Sequence, residues 1–300
     1  MQENRIPKVC IGMFAHNEEQ NIRATLDGLL AQDFKDFELI ISDDESTDAT
    51  ERICREYATR DGRIRYVRQQ PRLGIIGNAN FVFEQCRSPY FAWAAGHDLF
   101  APTFISKLLP VLESDPTVVC AYPLVPVVEV DGTKLLDQEQ CRLDTRWQNV
   151  AARANLLLWG LRGSEPIYGL FRTDALRKTR LYRPLMCCDN LVLFEINLLG
   201  SIAFVADELY FLKVTKRLSH MRDKLANYRK TMYSGEGRKI LGMRMTFWRL
   251  FFAHLGAIYR APVPRRRKPI LIASTIFYFL SKRGKHLFHD IVELFGIPRP

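Results

Sequence analysis

Residues 8–53 read KVCIGMFAHNEEQNIRATLDGLLAQDFKDFELIISDDESTDATERI, and this stretch decides the fold. Lys8–Phe14 and Phe37–Ser42 are short runs rich in β-branched, aromatic and other apolar residues, bounded by polar turns, and they predict strands. Between them Ile22, Leu26, Leu29 and Leu30 recur at helical spacing and predict an amphipathic helix. A strand, a helix and a strand in this order form a βαβ unit with parallel strands and a right-handed crossover.

The alternation continues outward. Further strands are predicted at Ile64–Arg68, Tyr90–Ala95 and Val118–Tyr122, and Phe104, Leu108, Leu109 and Leu112 line another helix. The fold class expected is therefore α/β: a mostly parallel sheet flanked by helices. Such sheets bind ligands beyond the carboxyl ends of their strands. The segments just past those ends are AHNEE after the first strand, DDESTD after the second and GHD after the fourth.

Beyond residue 130 the pattern loosens. A helix is expected around Trp147–Leu158 and another over CDNLVLFEINLLG, with a strand pair at Ile202–Val205 and Glu208–Val214. The remainder is helical in pattern and basic, containing RRRK at Arg265–Lys268 and the apolar run Pro269–Leu280. That run is too short to span a bilayer, which needs ~20 residues, so an interfacial helix is the better fit.

Composition sets limits. The chain has 300 residues, 47% hydrophobic and 25% charged, as expected of a folded globular protein. The seven cysteines form no CxxC pair, and the first residues lack a secretory pattern. A reduced cytoplasmic protein without disulfides or structural zinc is expected. The net charge of +10 is uneven: residues 213–300 hold 20 Lys/Arg and 4 Asp/Glu, whereas residues 1–212 hold 23 and 29. A mildly acidic body joined to a strongly basic region implies different partners for each.

Taken singly, the polar residues have two readings. Asp43, Asp44 and Ser46 follow a strand and suit turn and helix-cap chemistry. They equally suit a nucleoside, because an ionised carboxylate accepts hydrogen bonds from a base imide or a ribose hydroxyl. Asp98 after the fourth strand is either a solvated strand end or a ligand for a hard cation.

Taken in order, the motifs resemble family 2 glycosyltransferases of the GT-A fold. The first strand, Asn17-Glu18, a helix, Gln32-Asp33-Phe34, a second strand and DDESTD match that family's opening piece by piece. The segment LGIIGNANFVFEQCRSPYFAWAAGHDLFAPTFISKLLPVL continues the match. The likeness is specific over residues 7–123, weaker to about 215, and absent from the tail.

The resemblance implies roles. Phe14, Ala15 and His16 stand where the family holds the nucleotide base, His16 replacing a Tyr common there. Asp43 and Asp44 occupy the nucleoside-reading motif, with Glu18 supporting the loop and Arg72 placed to meet a diphosphate. Gly74 and Asn80 precede the helix that leads to the metal motif. Asp98 matches the metal-binding Asp, a divalent Mn2+ or Mg2+ being the implied cofactor, and His97 stands where a second carboxylate is common, facing the nucleotide or the metal. Asp189 matches the catalytic base, with Cys188 replacing a Glu. Tyr168, Gly169 and Arg172 in YGLFR resemble the acceptor-lining segment. Phe211–Thr215 corresponds to the family's later Tyr-Arg-x-His, with Lys213 for the Arg and Thr215 for the His, so Lys213 or Lys216 would compensate at the phosphates.

The expected organisation is a GT-A domain at 1–215, with a nucleotide-sugar half at 1–123 and an acceptor half at 124–215, followed by a basic helical appendage at 216–300. The expected function is inverting transfer from a nucleotide sugar, a UDP-sugar, to a hydroxyl of a glycan or lipid-linked acceptor in cell-surface polysaccharide or glycolipid elongation. The alternative is a non-catalytic nucleotide-sugar-binding or scaffold protein, motivated by His97, Cys188 and Thr215. A nucleotidyltransferase is disfavoured because no Gly-rich phosphate loop lies near the N-terminus. In the tail, Trp248, Phe251, Phe252, Leu255 and Tyr259 with interspersed Arg suit an anionic membrane surface on the cytoplasmic side; packing on the body or homo-oligomerisation are the alternatives, and no nucleic-acid motif is present.

Overall fold

The computed structural model describes residues 5–129, 134, 140–213 and 245–294. Its centre is a seven-stranded sheet of order β3-β2-β1-β4-β8-β6-β9. The strands are β1 (Val9–Ala15), β2 (Phe37–Asp43), β3 (Ile64–Arg68), β4 (Tyr90–Ala95), β6 (Val118–Leu124), β8 (Leu170–Arg172) and β9 (Ser201–Glu208). All neighbours pair in parallel except β8, which runs antiparallel between β4 and β6. The sequence-based strand assignments in the first 124 residues therefore stand, each within two residues of its observed ends.

Four helices cross between the early strands: α1 (Ile22–Leu30), α2 (Thr50–Arg60), α3 (Gly74–Glu84) and α4 (Phe104–Ser114). The α1 face that meets the sheet is Ile22, Thr25, Leu26 and Leu29. On the opposite sheet face an aromatic chain fills the core. Phe83 meets Phe91, Phe91 meets Trp93, and Phe171 and Tyr182 both pack on Trp93, at centroid distances of 5.0–5.6 Å and edge to face, while the Trp93 indole donates to Ala79 O at 2.9 Å. Burying each such ring is worth roughly 1.5–3 kcal/mol before entropy.

The expected strand pair at 202–214 is not a pair. β9 joins the main sheet beside β6, while β10 (Tyr210–Lys213) leaves it and forms a second, three-stranded sheet between β5 (Leu99–Phe100) and β7 (Val127–Val128). Both runs are apolar on more than one face, and local sequence does not state which neighbour each finds.

Among the described residues the remaining α-helices are α5 (Val150–Gly160), α6 (Thr173–Leu176), α7 (Cys188–Leu199), α8 (Thr246–Arg260) and α9 (Lys268–Leu294). Ala257, Ile258, Ala261, Val263 and Leu271 share one continuous core with β4, α3, α5 and α7. The basic helices that the sequence sets apart are thus packed on the body. All seven cysteines are free, six of them buried. Thr215 and Lys216 lie outside the described residues.

Candidate active site

The register of the sheet brings three strand ends together. Ala15 lies beside Asp43, and Phe14 lies between Ser42 and Ala95. The segments after β1, β2 and β4 therefore form one polar edge, and hydrogen bonds knit them. Asn17 N–H donates to Ser46 Oγ at 2.9 Å, Glu18 N–H to Thr50 Oγ1 at 2.8 Å, and Asp44 N–H to Ala15 O at 2.9 Å. The His16 ring meets Asp44 O through Nδ1 at 2.9 Å.

The two acids of DDESTD do different work. Asp43, fully buried, accepts from Ser46 N–H at 2.9 Å and from the Tyr66 hydroxyl at 2.8 Å, which closes the turn. Asp44 is 2% exposed, and its carboxylate accepts from Leu73 N–H at 2.6 Å, Gly74 N–H at 2.9 Å and Arg72 Nε at 3.2 Å. Gly74 makes this possible: its φ of 73° is costly for a side-chain-bearing residue, and it opens α3. In this structure the Asp44 carboxylate accepts from three donors of its own chain. Its place is to fix the 72–74 turn, and Arg72 is held in that turn by the same carboxylate.

At the end of β4, Gly96 lets the loop close on its neighbour, since a Cβ there would sit 2.9 Å from Glu18 Cγ. His97 Nδ1 meets Glu18 Oε1 at 2.7 Å, and its Nε2 lies 4.0 Å from Asp98 Oδ1. Burial works against a charged His97, but the hydrogen bond to Glu18 and the charges of Asp98 and Glu18 outweigh it, so the imidazole pKa is raised. Asp98 is only 1% exposed. The Tyr210 hydroxyl donates to its Oδ2 at 2.5 Å and Lys213 N–H to its Oδ1 at 3.0 Å. Burial pushes the Asp98 pKa up, while His97, Tyr210 and Lys213 pull the other way. The Lys213 ammonium reaches Asn21 Oδ1 at 2.9 Å, so β10 lays a cation over the start of α1.

Tyr168 packs on this edge. Its ring lies against that of Tyr210, centroids 4.7 Å apart. Burial first, and then the charge of Asp189, push the Tyr168 and Tyr182 phenols up. Asp189 stands in the first turn of α7, just after Cys187, which holds a left-handed φ of 54°. Only the Cys188 thiol, 4.0 Å away, approaches its carboxylate as a donor among the described residues. Desolvation raises the pKa of this half-buried carboxylate to about 6. A cavity lined by Leu157, Leu158, Arg162, Asn190, Tyr278 and Arg283 adjoins this helix start.

Two expected site residues lie elsewhere. Arg172 is remote from the acceptor side: β8 is antiparallel, so Arg172 pairs with Tyr90 at the opposite edge of the sheet. Its guanidinium donates to the carbonyls of Val118, Leu112 and Asp115, closing the end of α4 onto β6. Asn80 does not reach the strand ends; its amide donates to Tyr182 O at 2.9 Å and accepts from Tyr182 N–H at 3.1 Å. Asn78, not singled out in the sequence, is the α3 amide at the edge, reaching Ser42 O at 3.0 Å. Gly169 immediately precedes β8, where a Cβ would meet Ala121 O at 2.5 Å, so its role is close packing. Tyr210 was also missed. It bonds Asp98 across 112 residues, a separation at which sequence periodicity carries no signal.

A mostly parallel, helix-flanked sheet with this acidic edge defines a GT-A type glycosyltransferase fold. The chain belongs to glycosyl transferase family 2, whose sequence model matches residues 10–179. An uncharacterized protein of Mycobacterium tuberculosis is 40% identical over 124 residues, covering 40% of this chain and 36% of that protein. Chondroitin synthase of Escherichia coli is 30% identical over 128 residues, 43% of this chain and 18% of the synthase. The chain thus aligns with well under half the length of these relatives. Among solved structures, S. aureus TarS in complex with UDP-GlcNAc superposes with a TM-score of 0.64 at 17% identity, covering 92% of this chain and 73% of TarS. A mannosyltransferase from Pyrobaculum calidifontis, in complex with GDP-Man and Mn2+, gives a TM-score of 0.55 at 15% identity, covering 97% and 81%. At these identities the structural likeness shows the fold alone.

Proposed function

We propose that this chain transfers a sugar from a nucleotide sugar, a UDP-sugar, to a hydroxyl of a glycan or lipid-linked acceptor, with inversion at the anomeric carbon. The observation that carries the reading is Asp189: a half-buried carboxylate in the first turn of α7, approached among the described residues only by the Cys188 thiol, with a pKa raised to about 6 by desolvation. A base poised near the working pH combines the ionised form with real proton affinity. Asp189 takes the proton of the acceptor hydroxyl as its oxygen bonds to the anomeric carbon. The bond from that carbon to the diphosphate oxygen breaks in the same step, and the electron pair leaves with the nucleoside diphosphate. His16 and the 72–74 turn, fixed by Asp44, frame the nucleoside, and Lys213 stands where it offsets phosphate charge.

The donor set at the end of β4 fits a divalent cation. His97 Nε2 and Asp98 Oδ1 are 4.0 Å apart, Glu18 holds the other imidazole nitrogen, and a carboxylate whose oxygens each accept one bond keeps further lone pairs. Among the described residues no three His, Cys, Asp or Glu converge, so such an ion would depend on substrate oxygens and water as well. An imidazole in the set favours Mn2+ over Mg2+. When bound, the ion supplies charge neutralisation for the leaving diphosphate.

The test is nucleoside-diphosphate release from a panel of UDP- and GDP-sugars with candidate acceptors and Mn2+, alongside thermal shift. Asp189→Asn should lower kcat by about a thousandfold or more while keeping nucleotide-dependent stabilisation. A wild-type protein that no nucleotide or nucleotide sugar stabilises would sink the reading. Retained nucleotide binding without turnover of any donor would move it to the scaffold alternative.

A further inference from the structure

Helix α9 has two faces of unlike character. Its inner face, with Leu271, Thr275, Phe279, Leu287 and Asp290, is buried against the body. Its outer face presents Ile270, Phe277, Leu280, Phe288 and Ile291, which are 58%, 65%, 61%, 63% and 38% exposed. Ala273, Ser281 and Gly284 fall between them on this face, so no charge interrupts it. The stripe runs about 30 Å at 1.5 Å per residue, and Trp159 of α5, also exposed, extends it with a centroid 5.7 Å from Phe277. A contiguous apolar surface of this length marks an interaction site.

The charge around the stripe selects the partner. Residues 245–292 hold nine Lys/Arg and a single carboxylate, Asp290, which is fully buried and accepts from Phe247 and Trp248 N–H. Arg265 and Arg266 precede the helix, and Lys282 and Lys285 border its outer face, all exposed. A second copy docked here would set these cations against their own kind. An anionic surface would meet them with opposite charge. No described helix is long and apolar enough to cross a membrane, and the packed inner face keeps α9 on one side of it.

We propose that the outer face of α9 seats this protein in the interfacial layer of an anionic lipid bilayer. Ile270, Phe277, Leu280 and Phe288 enter the acyl boundary, and Arg265, Arg266, Lys282 and Lys285 meet the headgroups. Such helices sink about 5–10 Å, which suits a single exposed stripe. The sequence points to both C-terminal helices, the apolar run Pro269–Leu280 of α9 and the aromatic and basic α8. In α8, Trp248 and Phe251 pack toward α9, Phe251 meeting Phe279 with centroids 5.3 Å apart, while Phe252 and Tyr259 stay exposed.

Flotation of the full chain with phosphatidylcholine vesicles, with and without phosphatidylglycerol, tests the assignment independently of any transferase activity. The wild type should bind the anionic vesicles at least about tenfold better than the neutral ones. Phe277→Glu with Phe288→Glu should weaken that binding by about tenfold or more, with the milder Phe277→Ser, Phe288→Ser pair moving in the same direction. Lys282→Glu with Lys285→Glu should lose about fivefold or more per residue. Arg52→Glu on the remote helix α2 should change nothing. Absence of wild-type binding, or binding untouched by the Phe277/Phe288 pairs, overturns the proposal. A dimer seen by light scattering, split by those pairs and indifferent to lipid, would assign the face to a second copy instead.

Discussion

Asp98 is fully buried and Asp189 half-buried, and the chain treats them differently. Asp98 receives a hydroxyl and an N–H, which offset much of its desolvation, whereas Asp189 receives neither. A pKa near 6 has two measurable consequences. As a base Asp189 must be ionised, so kcat/KM should fall about tenfold per pH unit below 6 and level off above it. For stability the sign is opposite. A carboxyl whose folded pKa lies above its unfolded one stabilises the fold when protonated, and that contribution is lost as pH rises through 6. Asp189→Asn should therefore be more stable than wild type at pH 8 by up to about 3 kcal/mol, the difference vanishing toward pH 4. Urea denaturation at both pH values checks this; an equal effect at both would show that burial does not set the pKa.

At the scale of elements, the site depends on segments that arrive from far along the chain. β10 contributes a hydroxyl, an N–H and an ammonium around Asp98 and Asn21, although the pattern of residues 202–214 suggests a simple hairpin. Helix α3 holds the loop before α7 through the two hydrogen bonds between Asn80 and the Tyr182 backbone, one donated by each. Asn80→Ala should cost about 1–3 kcal/mol in thermal or chemical unfolding. It should also raise the acceptor KM more than the donor KM, because Tyr182 stands beside Asp189. Equal changes in both would place Asn80 on the nucleotide side, as its position in the sequence suggests. Arg172 illustrates the same limit. Its neighbours in YGLFR point to a binding segment, but strand direction sends the side chain to the far edge, and strand direction is settled by the elements on either side of β8.

For the molecule as a whole, the basic helices are joined to the sheet domain through Glu195 of α7. This carboxylate, 6% exposed, accepts from Arg180 N–H at 2.7 Å, Arg183 at 2.9 Å and Arg260 of α8 at 2.9 Å. Glu195→Ala leaves two guanidinium groups without their counter-charge and should cost about 3–5 kcal/mol, more than Glu195→Gln. Unfolding should remain a single transition, because α8 and α9 share the sheet's core; separate melting of the C-terminal helices would contradict that. By itself the sequence determined the βαβ order, the parallel strands and the acidic residues at their ends, because these arise from periodicity and turn chemistry within a few residues of each position. It also determined the basic charge of the last third. Tertiary structure alone decided that Asp44 holds the 72–74 turn, that Asp98 is covered by Tyr210 while Asp189 is approached only by the Cys188 thiol among the described residues, and which side of α9 is left exposed. Each of these depends on desolvation and contacts between segments distant in sequence, which local pattern does not encode.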